Sequence, residues 1–173
     1  GFSMRWYGDF LENDNVQQSI WVSVKVCIAS TLISVVLGTL AALSIERFRW
    51  WGQKAFDAVL YLPIIIPDVT MAVMLMGFFS ETAEWFNVIP GVDLSEGLEK
   101  LVLSHVAFNI SFVSVVVRAR LTNLDATMEE AAADLYANRW QAFRRVTLPQ
   151  IMPGVLGGAL LAVTLSLDDV VVS

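Results

Sequence analysis

Four long apolar stretches, separated by polar connectors, organise the chain. The first covers about residues 20–45 and is uncharged from Val26 onward. At about 1.5 Å per residue it is long enough for a bilayer core of about 30 Å. Lys25, near its edge, is placed to reach the interface. The second stretch, about residues 56–79, is interrupted by Pro63, Pro67 and Asp68. A third, residues 101–117, is uncharged but carries His105 and Asn109, and the last, residues 151–167, runs into Asp168 and Asp169. There is no two-residue alternation of the kind a strand needs, no tandem repeat and no low-complexity tract. The pattern predicts an all-α fold: one polytopic membrane helical bundle over residues 1–173, with about four transmembrane helices. Gly154 with Gly158, and Ser34 with Gly38, have the small-x-x-x-small spacing that lets helices approach closely in lipid.

Charge placement orients this bundle. Arg47, Arg49 and Lys54 lie between the first two stretches, and Arg118, Arg120, Arg139, Arg144 and Arg145 lie between the last two. The remaining polar segments, residues 1–19 and 80–100, carry only Arg5 and Lys100 against eight acids. Cytoplasmic loops are the ones enriched in Lys and Arg, so the two basic connectors are expected inside and both ends of the chain outside. Composition agrees: 56% of residues are hydrophobic and 16% charged, against about 25% charged in soluble domains. The single Cys27, within an apolar stretch, reads as a packing residue. The chain opens on Gly1-Phe2-Ser3 without a basic segment and cleavage site, and stops just after an apolar helix. A piece of a longer protein without a signal peptide is the expectation.

The connector at about 118–149 is too long for a turn and rich in helix formers. Thr127-x-x-Glu130 has the form of a capping box, and Asn138-x-x-Gln141 repeats it. Two short helices joined near residues 136–138 are predicted, with Pro149 opening the next membrane helix. On composition alone such helices fit an interfacial resting place as well as a docking role. The spacing is more specific. Glu130-Ala131-Ala132, then position 136, then Val146-x-Leu148-Pro149 resembles the EAA loop of ABC-importer permeases, which reads EAA, three residues, Gly, nine residues, Ile-x-Leu-Pro. Every spacing is met; Tyr136 replaces the Gly and Val146 the Ile. A Tyr adopts the left-handed helix end that Gly permits only at a cost of about 1 kcal/mol or more.

The resemblance implies that residues 118–149 are a cytoplasmic coupling loop. It implies that Glu130, Ala131 and Ala132, with Asp134, Leu135 and Tyr136 beside them, contact a cytoplasmic ABC ATPase dimer. The sequence has no G-x-x-x-x-G-K-[ST] phosphate loop, so ATP and Mg are expected on that partner and no cofactor on this chain. Further segments, namely Phe2-Ser3-Met4-Arg5-Trp6-Tyr7, Pro67-Asp68-Val69, Ser104-His105-Val106-Ala107-Phe108 and Ser166-Leu167-Asp168-Asp169-Val170, are similar to spermidine/putrescine-type permeases. Such permeases usually have six membrane helices. The resemblance implies a multi-pass protein of the bacterial inner membrane, without enzyme activity, that moves a polyamine by alternating access. A second permease subunit and a periplasmic solute-binding protein would complete it; no nucleic acid is involved.

Asp68, Asp168 and Asp169 are the candidate substrate-path residues. An ionised carboxylate at a helix centre costs roughly 2.5–3.5 kcal/mol on insertion scales and usually faces a cavity or partner, and carboxylates suit a polyamine's ammonium groups. Each has a plainer reading. Asp168 and Asp169 fall about 26 Å along a helix from Ile151, in reach of the outer headgroups, and Asp68 can serve backbone groups freed by Pro67. His105 and Asn109, four apart, read as interhelical hydrogen-bonding groups, and Trp50, Trp51 and Trp85 as interfacial belts. No cluster has metal-ligand spacing. The rivals are an ABC permease for another small solute (iron, sulfate, an opine) and an intramembrane enzyme using Asp168 and Asp169.

Overall fold

The computed structural model describes residues 14–86, 97–124 and 126–168. Helix α1, Asp14–Arg47, is followed by α2, Gln53–Ile65, and α3, Asp68–Phe86. Then come α4, Leu98–Leu121; the short α5, Ala126–Asp134; the single-turn α6, Arg139–Ala142; a π-helical segment, Phe143–Thr147; and α7, Leu148–Asp168. Every described element is helical. Three helical runs, Asp14–Arg47, Leu98–Leu121 and Arg139–Asp168, are long and apolar enough to cross a membrane. The second apolar stretch becomes α2 and α3, bent by 117° where the helix stops at Ile66-Pro67. Pro67 disfavours helical geometry at the residue before it, and Ile66 accordingly has extended backbone, φ −76° and ψ 130°. Counted as one span, this pair brings the total to four.

Helices α1, α4 and α7 form the centre, with α2 laid on α4 and α3 touching α4 lightly. Beside the apolar centre, many polar side chains are buried and many large apolar ones are exposed. Ser30, Ser34, Ser104, His105, Asn109 and Ser166 are buried, while Leu32, Val36 and Leu40 of α1 and Leu156 and Leu160 of α7 face outward. Between apolar helices in lipid there is no hydrophobic drive, so close packing and hydrogen bonds must hold the bundle. The small residues supply the first. A Cβ on Gly38 would lie 2.8 Å from Cβ of Val113, and one on Gly158 3.3 Å from the Val113 Cα. Val113 is fully buried between these two glycines. One step inward, the aliphatic stem of Arg120 fills the space over Gly154. Ala42, Val117, Leu121, Ile151 and Ala162 complete the packed centre, and Cys27 is buried against α7, its thiol 3.7 Å from the Val163 carbonyl.

The basic connectors meet at one end of the bundle, where Arg47 and Glu46 of α1 pair with Glu129 of α5 and Arg118 of α4. This common end, the one the charge pattern predicts to be cytoplasmic, is referred to as the inner end. Trp50 is partly exposed and Trp51 wholly so; the side chain of Trp85 and the segment Phe2–Tyr7 lie outside the described residues.

Candidate functional site

Helix α5 projects from the inner end and is made by an alanine-rich run, Ala131-Ala132-Ala133, the residue type with the best helix propensity. It begins at Ala126, so Thr127, which the spacing reads as a cap, stands inside the first turn. The other end follows the sequence. The Tyr136 N–H bonds the Ala133 carbonyl at 2.9 Å and the Ala137 N–H bonds the Ala132 carbonyl at 3.0 Å. This double closure of the last turn requires a left-handed residue between them, and Tyr136 supplies it with φ 58°. The Asn138–Gln141 capping box of α6 forms in full, at 2.8 and 3.0 Å.

Pro149 does not open a new helix after a break. The chain passes from α6 through the π-helical turn straight into α7, and Pro149 is its second residue. Extra residues per turn are accommodated by the π segment, a form that often marks functional positions.

Glu130, Ala131 and Asp134 of α5 are exposed, Ala132 is half-buried, and Leu135 and Tyr136 are 82% and 97% exposed. With Met128 and Trp140, also exposed, these residues make an apolar surface with a few acids at the tip of the inner end. An apolar patch of this kind marks an interaction site. Adjacent Glu129 turns inward, since neighbours on a helix point about 100° apart. Its carboxylate accepts two bonds from the Arg47 guanidinium, each 2.5 Å, and a third from the Thr147 hydroxyl at 2.5 Å. Hydrogen bonding from Arg47 holds the Glu129 pKa below the usual carboxylate range; partial burial opposes this, and the Thr147 bond adds to it. One residue earlier on α1, Glu46 accepts from Arg118 Nε, and Arg118 Nη1 also reaches Asp57 of α2 at 2.7 Å. These six residues were used in the sequence only for topology or not at all; the Glu129-Glu130 doublet beside an inward cluster of cations was the available signal.

Of the three candidate acids, only Asp168 has a described side chain. Asp68 opens α3, but its side chain is outside the described residues, as is the whole of Asp169. Asp168 closes α7 and is exposed. Between them and the inner end, the Ser166 hydroxyl lies 3.1 Å from His105 Nδ1 and 3.3 Å from the Ser30 hydroxyl, tying α7 to α4 and α1. His105 thus makes the interhelical bond expected of it. Asn109 does not: it is fully buried and, among the described residues, neither amide atom has a hydrogen-bond partner.

The described residues thus form a helical membrane bundle with a short helical loop at one end. The chain belongs to the family of binding-protein-dependent transport system inner membrane components, which matches residues 34–173. It is 37% identical, over its entire length, to the putrescine transport system permease protein PotI of Escherichia coli K12, and spans 60% of that protein. It is 36% identical to the spermidine/putrescine transport system permease protein PotC of Haemophilus influenzae, again over the whole chain and 63% of the relative. The molybdenum transport system permease protein ModB of E. coli K12 is 30% identical over 88% of the chain and 68% of its own length. The chain therefore spans about three-fifths of the length of the two polyamine permeases it matches.

Proposed function

We propose that the protein is a permease subunit of a bacterial inner-membrane ABC importer that carries a polyamine, putrescine or spermidine, by alternating access. The observation that carries the reading is the α5–α6 loop: a short rigid helix fixed to the inner end, with Glu130, Ala131, Asp134, Leu135 and Tyr136 turned outward. A partner ATPase dimer docks on that face, binds the ATP and Mg, and pushes the loop as it closes; this chain binds no cofactor. A second permease chain supplies the other half of the path, and a periplasmic binding protein delivers the solute. Alternate packings of a helical bundle, biased by the push, then open to each side. The polyamine assignment is supported by whole-chain similarity to PotI and PotC and by the acids Asp68, Asp168 and Asp169, whose charge suits ammonium groups.

The test is ATP-driven uptake by vesicles containing the full-length protein with its partner subunits. Labelled putrescine or spermidine is expected to accumulate, and unlabelled polyamine to compete. Uptake of molybdate or another solute with no competition by polyamines would overturn the cargo. Glu130→Lys places a cation on the docking face. It is expected to abolish uptake and substrate-stimulated ATP turnover while the protein still inserts into the membrane, and normal uptake would remove Glu130 from the contact.

A further inference from the structure

Beyond the docking face, and resting on the reading of that face as an ATPase contact, we infer that Glu129, through its clamp on Arg47 and Thr147, is the residue that transmits movement of α5 to the membrane helices. The two glutamates at the start of α5 divide the work. Glu130 is exposed, whereas Glu129 looks into the bundle and accepts both Arg47 nitrogens and the Thr147 hydroxyl. Those partners belong to different elements: Arg47 is the last residue of α1, and Thr147 the last of the π segment leading into α7. One carboxylate therefore joins the lever to two of the three central helices. Backbone contacts of α5 fall mainly on the π segment and α6, and the Glu129–Arg47 ion pair ties it to α1.

A second knot lies alongside. Glu46 precedes Arg47 and pairs with Arg118 of α4, which also holds Asp57 of α2. Two neighbouring residues of opposite charge thus connect α1 to the lever on one side and to α4 and α2 on the other. A displacement of α5 reaches α1 and α7 through Glu129, and α4 and α2 through the Glu46–Arg118 pair. A two-pronged Arg–carboxylate contact suits this role because it fixes direction as well as distance, which a single-point ammonium contact does not.

Glu129 is a positioning residue, and the test separates transmission from docking. In the complete transporter reconstituted in vesicles, three quantities are measured: ATPase subunit retained on the permease, ATP hydrolysed, and labelled polyamine accumulated. Glu129→Gln keeps the shape but not the charge. The ATPase subunit is expected to remain bound in wild-type amount while polyamine moved per ATP falls about tenfold. The exchange Arg47→Glu with Glu129→Arg should recover most of the ratio, whereas Arg47→Glu alone should not. An unchanged ratio in Glu129→Gln, or loss of the ATPase subunit from it, would overturn the assignment, as would failure of a stably inserted exchange variant to regain transport. Absence of ATP-driven uptake by the wild-type assembly would instead strike down the functional reading, and the clamp's role with it.

Discussion

Tyr136 shows how far a single residue was legible. Its position in the EAA spacing marks a place where glycine is expected, and the backbone there is left-handed, φ 58°. The side chain carries the strain, about 1 kcal/mol, because two hydrogen bonds close the helix around it. Tyr136→Asn should therefore be accepted, since Asn enters this region readily, while Tyr136→Val should weaken the turn by about 1–2 kcal/mol. Thermal unfolding in detergent checks the pair: Asn near wild type, Val lower. If Val matched wild type, the turn would be free of the constraint. Glu129 was not legible in this way. Its charge, its doublet and its helix were visible, but only the fold decides which of two adjacent carboxylates faces inward. Asn109 was misjudged for a related reason. Spacing placed it beside His105 on one face, yet a partner must come from another helix, and no pattern in the chain states what stands opposite.

At the scale of elements, the apolar stretches were read well because a membrane helix must satisfy its backbone within itself, which makes length and apolarity sufficient. The ends were not: α1 extends from Asp14 to Arg47 and α4 from Leu98 to Leu121, since polar and charged residues continue a helix once it has formed. The proline-marked break in the second stretch was foreseeable from Pro67; its 117° angle was not. The unbroken passage from α6 into α7 was hidden because Pro149 signals a start equally well within a helix's first turn. Helix packing yields a sharp contrast. Gly38→Ala puts a methyl group 2.8 Å from the Val113 Cβ, and overpacking of this kind should cost about 1–3 kcal/mol. Gly77→Ala in α3 meets nothing within 4 Å and should be neutral or stabilise by up to about 1 kcal/mol. Thermal transitions of the two variants in the same detergent decide the point; equal shifts would deny any special closeness of α1 and α4.

For the molecule as a whole, the inner end is held by charge and the centre by close packing, so the two should respond differently to solution conditions. The folded-state pKa of Glu129 lies below its unfolded value, near the ordinary figure of about 4.3. Its contribution is therefore complete above that value and is lost as pH falls through the lower, folded one. The gap in thermal stability between wild type and Glu129→Gln should stay constant from neutral pH to about 5.5 and narrow as the pH falls through and below the ordinary carboxylate range; a gap that narrows with rising pH would contradict the pairing. Salt should shrink the gap as well, because the clamp is partly exposed. Val113 leads somewhere else. With glycine on both flanks, from α1 and from α7, it behaves like a key in a two-sided keyway: turning any one of the three helices about its own axis would drive a side chain into a gap made for a hydrogen atom. The trio then swings as a single strut, and the bend at Ile66-Pro67, between α2 and α3, lies outside it.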